Sequence, residues 1–300
     1  MIEPEQNSIN LGSEEETPSN RKAHISTKGK IVNAVLAVAT FLVLTPGSMA
    51  QVTQVEGSAG GGIVPWALPS QGKPTASFTW VNTGDYSLTS LAVQGSLAKR
   101  LELSYGRMSF DSAAVGLGKI DVDVFSGKFV LLKMEGRMPA VSVGVQYKKT
   151  NANDSFLDSV GADDNGVDFY VAATKVFKVG DKSLLLNGTV RGTKANQLGI
   201  LGFGSETKDN YSAQFEGSVG VFLNDSTVLG VEYRAKPDNI AGLREQDWGD
   251  LFFAYFPNQN ISLVAAYAQL GDIAAEANAS NGGRGGEDQR GLYLQVQINF

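Results

Sequence analysis

From residue 76 onward, apolar side chains recur on alternate positions in short blocks. The block at residues 291–300 (GLYLQVQINF) shows the pattern most clearly. Leu292, Leu294, Val296, Ile298 and Phe300 share one face, and Gln295, Gln297 and Asn299 share the other. A period of two belongs to a β-strand with one apolar and one polar side. The same reading predicts strands at about 76–82, 87–97, 100–110, 119–134, 140–149, 167–177, 183–194, 213–223, 227–236, 248–256, 260–270 and 289–300. The stretch 119–134 is the least regular, because Ser126-Gly127 interrupts its apolar phase. It reads as a bulged strand or as two short ones.

Short turns near 98–99, 136–139, 178–181, 224–226 and 257–259 alternate with longer polar loops at 111–118, 150–166, 195–210, 237–247 and 271–288. Only one connection on the long-loop side, 83–86, is short. Such alternation marks up-and-down barrels of the outer membrane. The predicted fold is all-β: a transmembrane antiparallel up-and-down β-barrel of about twelve strands, over 76–300. An exposed apolar edge strand would invite aggregation, whereas closure with lipid on one face removes the hazard. Tyr293, Val296, Ile298 and Phe300 resemble the assembly signal that outer-membrane barrels present to their insertion machinery.

Residues 1–50 read as a leader. Arg21, Lys22, Lys28 and Lys30 precede an apolar core at 31–45, and Ser48-Met49-Ala50 is a small-x-small site with cleavage expected after Ala50. The apolar run is shorter than the roughly 20 residues of a spanning helix. Acidic residues ahead of it suggest a start codon placed too far upstream. Export followed by barrel insertion predicts an outer-membrane location, with membrane lipid and the insertion machinery as partners.

Composition removes several chemistries. The chain has no cysteine, and its one histidine, His24, falls in the leader. A Ser-His hydrolase therefore lacks its base, and imidazole or thiolate metal sites cannot be built. No enzyme activity, cofactor or metal is expected. The leader holds four of the 25 basic residues and five of the 31 acidic ones, so the remainder carries a net charge of about −5. That balance argues against a nucleic-acid partner.

By parity, Glu102, Lys148, Asp168, Arg191, Glu216, Glu232, Arg234, Lys236 and Asp250 face the lumen as constriction candidates. Charges of both signs suit either a selective constriction or a stiffening salt-bridge network. Lys194 has a less certain facing. Residues 51–75 lack alternation. Gly57 to Gly62 reads as a flexible tether, without the Lys-Ser/Thr of a phosphate loop. Ile63, Val64, Trp66 and Leu68 then form an apolar cluster able to plug the barrel. The apolar, glycine-flanked stretch 197–204 (QLGILGFG) is unusual for an outer loop and is expected either to turn inward and narrow the lumen or to contact an apolar ligand.

Several stretches, among them GGGIVPWAL (60–68), GVDFYVAATKVF (166–177), TKANQLGILGFG (193–204) and EYRAKPDN (232–239), resemble an uncharacterised family of bacterial secreted or outer-membrane β-barrel-like proteins, a domain of unknown function. The resemblance implies a secreted envelope protein and supplies no site residues. The residues themselves suggest a narrow channel for an unidentified small polar or charged solute. A non-conducting scaffold barrel and a carrier for hydrophobic compounds are the alternatives.

Overall fold

A computed structural model describes residues 52–70, 73–111, 118–276 and 285–300; the expected leader at 1–50 lies outside them. The alternating blocks become β1 (Thr75–Asn82), β2 (Ser87–Leu97), β3 (Leu101–Asp111), β4 (Lys119–Leu132), β5 (Ala140–Thr150), β6 (Asn165–Val179), β7 (Lys182–Thr193), β8 (Ser212–Asn224), β9 (Thr227–Arg234), β10 (Trp248–Asn258), β11 (Ile261–Gly271) and β12 (Gln289–Asn299). Every boundary falls within two residues of the sequence reading. Each strand pairs antiparallel with the next. β1 pairs with β12 from Thr75↔Asn299 to Asn82↔Leu292, which closes the barrel and leaves no free edge.

β4 is one strand. Its register with β3 runs unbroken through Leu103↔Gly127 and Ser104↔Ser126, and the only shift on β4 falls against β5, between Val130 and Leu132. The apolar phase is confused at 119–134 for another reason. Ile120, Val122 and Val124 point inward and are buried, while Asp121 and Asp123 point outward near the long-loop end. There Arg107 pairs with both, at 2.7 and 3.0 Å.

The outer surface is apolar around the whole barrel. Leu91, Leu103, Phe125, Phe169, Phe215, Val231, Leu251, Tyr267 and Leu292 are all exposed. A patch of that extent is far larger than a water-facing surface carries. Hydrocarbon accepts it, because closed pairing satisfies every ladder hydrogen bond. The chain is thus a transmembrane β-barrel.

The core lies inside this barrel. Residues 52–70 occupy the interior, with Val55, Ala59, Ile63, Val64 and Ala67 at most 3% exposed. From the long-loop end, residues 195–204 fold in and bury Leu198, Ile200, Leu201 and Phe203. Phe203 bridges both Asp163 and Ala195, which fixes the fold-back. A helix α1 (Asp154–Val160), capped by the Asn153 side chain, lies beside this loop and buries Leu157. Some inward positions facing these two segments are apolar, among them Met108, Phe110, Phe252 and Val264. A barrel filled by protein selects for packing where a water-filled one would select for polarity.

The lipid-facing assignment makes a first prediction. Val145, mid-strand on β5, is exposed on the outer face. Val145→Lys should cost about 2–4 kcal/mol in folding free energy in phospholipid vesicles. A cost near zero in a folding titration would mean that this face meets water.

Candidate functional site

Inside the barrel, toward the long-loop ends of β5 to β9, lies an ion-pair network of six side chains. The strand walls supply Lys148 (β5), Asp168 (β6), Arg191 (β7), Glu216 (β8) and Arg234 (β9), and the inner segment supplies Glu56. Lys148 Nζ contacts Glu56 Oε1 and lies 2.6 Å from Asp168. Arg191 reaches Asp168 at 3.2 Å, Glu56 at 3.7 Å, and Glu216 through its Nε. Arg234 Nη1 donates to Glu56 Oε2 at 2.6 Å, and its Nε lies 3.5 Å from Glu216. All six side chains are at most 3% exposed. Three cations thus meet three anions, and one of the anions is not part of the wall. The Tyr170 ring lies under the Arg191 guanidinium, 5.4 Å from centroid to Cζ.

A second clamp grips the inner segment by its backbone. Glu102 and Lys128 pair at 3.1 Å. Glu102 accepts from the Ala59 and Ser70 amides, and Lys128 donates to the Ala59 carbonyl. Further round the wall, Ser90 donates to the Val55 carbonyl, Thr174 accepts from the Ala67 amide, and Asn187 and Thr189 donate to the Pro65 carbonyl. Trp66 donates its indole N–H to Ser218 Oγ at 2.9 Å. Glu232 accepts from Ile63 N and from Ser218 Oγ. Asp250 pairs directly across from Glu232, and its buried Oδ1 has no hydrogen-bond partner among the described residues.

The sequence candidates thus divide into groups. Lys148, Asp168, Arg191, Glu216 and Arg234 come together; Glu102 belongs to the backbone clamp, and Glu232 and Asp250 form a separate acidic pair. Lys236 follows the end of β9 instead of sitting on it, and meets Glu245 at 3.7 Å under the inward loop, with Trp248 at 4.9 Å from its Nζ. Lys194 turns to loop carboxylates, Asp163 and Asp209, and takes no part in the six-membered network. Ile63 and Val64 are buried, while Trp66 and Leu68 are partly so. On β12, Val296 and Ile298 face outward, but Tyr293 faces inward beside Gln295, so these residues do not share one face.

Glu56 and Lys128 were not among the sequence candidates. Glu56 is the only acidic residue in 51–75, which was a usable signal. Lys128 was hidden by the confused phase of β4. The glycine run is also no tether. Gly57, at φ 101°, lies against the wall at Gly106, and a side chain on Gly61 would collide with Glu232. Glycine is present there because backbone meets wall.

Two apolar cavities flank the network. One, of about 30 Å3, lies under the inward loop between Tyr86, Phe110, Leu201 and Trp248. The other, of about 100 Å3, lies near the short-turn end between Trp66, Phe222, Phe252 and Phe256. Among the described residues no three acidic, histidine or cysteine side chains gather as a metal site.

Fold and site together define a transmembrane β-barrel whose lumen is occupied by its own N-terminal segment. The chain belongs to DUF3034, a family described as protein of unknown function, whose profile matches residues 49–297. Among curated proteins none matches the sequence. Solved outer-membrane proteins are similar to this chain at low identity. The KdgM porin is 10% identical, with a TM-score of 0.47, over 75% of this chain and 99% of its own. An outer-membrane channel from Pseudomonas putida F1 is 16% identical, with a TM-score of 0.43, over 79% and 97%. The outer membrane phospholipase A from Escherichia coli is 10% identical, with a TM-score of 0.39, over 77% and 94%.

Two predictions follow from this geometry. A Cβ on Gly106 would lie 2.8 Å from the Glu56 carbonyl oxygen, which is backbone and cannot swing away. Gly106→Ala should destabilise the seated segment by about 1–3 kcal/mol. The chain is free of cysteine, so Ser58→Cys provides a single buried thiol, and its maleimide labelling should quicken about tenfold in the Gly106→Ala background. An unchanged labelling rate would show that the segment does not rest on Gly106.

The second concerns pH. Burial pushes the Glu245 carboxyl up to about 7, with Lys236 partly opposing the shift; burial brings Lys236 down to about 8. A carboxyl with a raised folded pKa favours the folded loop most below its unfolded value, near 4.5, and that contribution is lost as pH rises to 7. The wild-type protein should therefore lose stability between pH 4.5 and 7 relative to Glu245→Gln, by up to about 3 kcal/mol. Parallel stability profiles of the two proteins across that window would refute the assignment.

Proposed function

We propose that this protein is a gated, non-enzymatic channel of the outer membrane for small charged solutes, closed by residues 51–75 acting as a plug. The observation that carries this reading is the position of Glu56. Within the six-membered network the wall supplies Lys148, Arg191 and Arg234 against Asp168 and Glu216, a local excess of one positive charge in a low-dielectric interior. A wall built only as a scaffold would balance its own charge. Instead, the balancing carboxylate arrives on a separate segment that begins outside the strand ladder. Buried ion pairs of this kind contribute little net stability and much positional specificity, which suits a part that must seat in one place and still leave it.

The inward loop at 195–204 closes the other end and forms a second gate. A carrier for hydrophobic compounds is the other reading that a specific feature favours. Its support is the apolar cavity beside Trp66, whose aromatic lining would stay dry when empty. The two readings differ in what passes once the plug moves.

The test is conductance in planar bilayers of the folded barrel with and without residues 51–70. The channel reading expects little current from the intact chain and steady, anion-preferring current after truncation. Removing 198–203 as well should raise conductance further. A folded, truncated barrel that passes no ions, yet takes up an apolar dye, would replace the channel with the carrier.

A further inference from the structure

We infer that the Glu56 pocket is a carboxylate-binding site of the lumen wall, and that the plug closes it by imitating the ligand: a small organic carboxylate. The inference builds on the plug reading above and names the class of solute that the site takes.

Glu56 is held by three cations. Its two carboxylate oxygens are divided between different cations. Oε1 takes Lys148, and Oε2 takes Arg234 at 2.6 Å with Arg191 at 3.7 Å. These are side chains of the wall, on β5, β7 and β9, and apart from a bond from Arg234 Nη1 to the Ile63 carbonyl at 3.0 Å their other ionic and hydrogen-bond contacts are with the wall. Asp168 fixes Lys148 and Arg191, Glu216 fixes Arg191 and Arg234, and Gln146 accepts from Arg191 Nη1. The cations are therefore positioned by neighbours that stay behind when the plug leaves. A preorganised set of donors recognises an anion far better than a flexible one.

Charge sets the valence of the guest. With Glu56 withdrawn, three cations face two anions, so a single negative charge restores balance. A monoanionic carboxylate group meets this condition, while a doubly charged phosphate overshoots it. Geometry agrees: planar carboxylate oxygens suit guanidinium donors. The guest competes with Glu56 for one seat. Each binding event by solute thus favours the withdrawn plug, which makes the transported class its own opener.

Acetate tests this directly, because its four heavy atoms are those that Glu56→Ala deletes. Labelling of Ser58→Cys again reads plug withdrawal, and sodium chloride and phosphate at equal ionic strength serve as controls. In the otherwise wild-type chain, acetate should speed labelling, since it competes with Glu56. In the Glu56→Ala background the sign should reverse, because acetate now completes the seated plug. Labelling should slow about tenfold at an acetate concentration ten times its dissociation constant. If Glu56→Ala does not fold, Glu56→Gln replaces it. That side chain fills the space without charge, so acetate should speed labelling there as in the wild-type background. Equal responses to acetate, chloride and phosphate would overturn the inference, as would the same sign of response in the wild-type and Glu56→Ala backgrounds. The readout does not depend on conductance, so it stands apart from the test of the channel.

Discussion

The interior is organised around one carboxylate that the barrel does not own. Glu56 sits among Lys148, Arg191 and Arg234, each anchored to a different strand. Charges this deeply buried are tolerated only when paired and hydrogen-bonded. The wall satisfies part of that requirement with Asp168 and Glu216. The remainder depends on bringing residue 56 into the lumen beside these cations, which dictates the path of everything from Val52 to Ser70. The segment is drawn in as a narrow fold-back, with Thr53 bridged to Ala59 and Gly60 to Pro65.

Once the segment is inside, its backbone needs partners, because water is excluded. The polar inward residues supply them. Glu102, Thr174, Asn187, Thr189 and Glu232 are spread over four strands, and each bonds a main-chain group of the segment. The pattern explains why lumen-facing positions alternate between polar clamps and apolar contacts such as Phe252 and Val264. Small residues matter for the same reason. At Gly57 against Gly106, two main chains approach more closely than a Cβ permits.

Strands were legible in the sequence because the lipid face imposes a strict period of two on each of them, independent of what fills the barrel. The same logic placed Arg191, Glu216 and Arg234 inside. It failed where both faces serve protein contacts. On β4, inward Ile120, Val122 and Val124 beside outward Asp121 and Asp123 gave a phase that no local rule resolves, and Lys128 was lost with it. Tyr293 was grouped with outward residues although its parity is that of Gln295. Glycines 57–62 read as loose because glycine is compatible both with mobility and with tight approach, and only the opposing wall distinguishes the two. Glu56 was visible as a lone acid in a neutral segment. Its role was not, because it depends on an excess of cations assembled from strands that lie 92 to 178 residues further along the sequence.

The division of labour between the two inward segments follows from chemistry. The segment 52–70 is held chiefly by charges and backbone hydrogen bonds, which exchange readily with water or a competing anion. At the long-loop end residues 195–204 are held by Leu198, Ile200, Leu201 and Phe203, with Lys236 and Glu245 as their one buried ion pair. Release there exposes apolar surface and so costs free energy in proportion to area. A polar plug answers to the composition of the solution around it, and an apolar loop does not. The two closures are therefore not redundant. On the proposed channel reading, the polar segment is the closure that would respond to a solute, and the apolar loop the one that would keep the barrel shut without it.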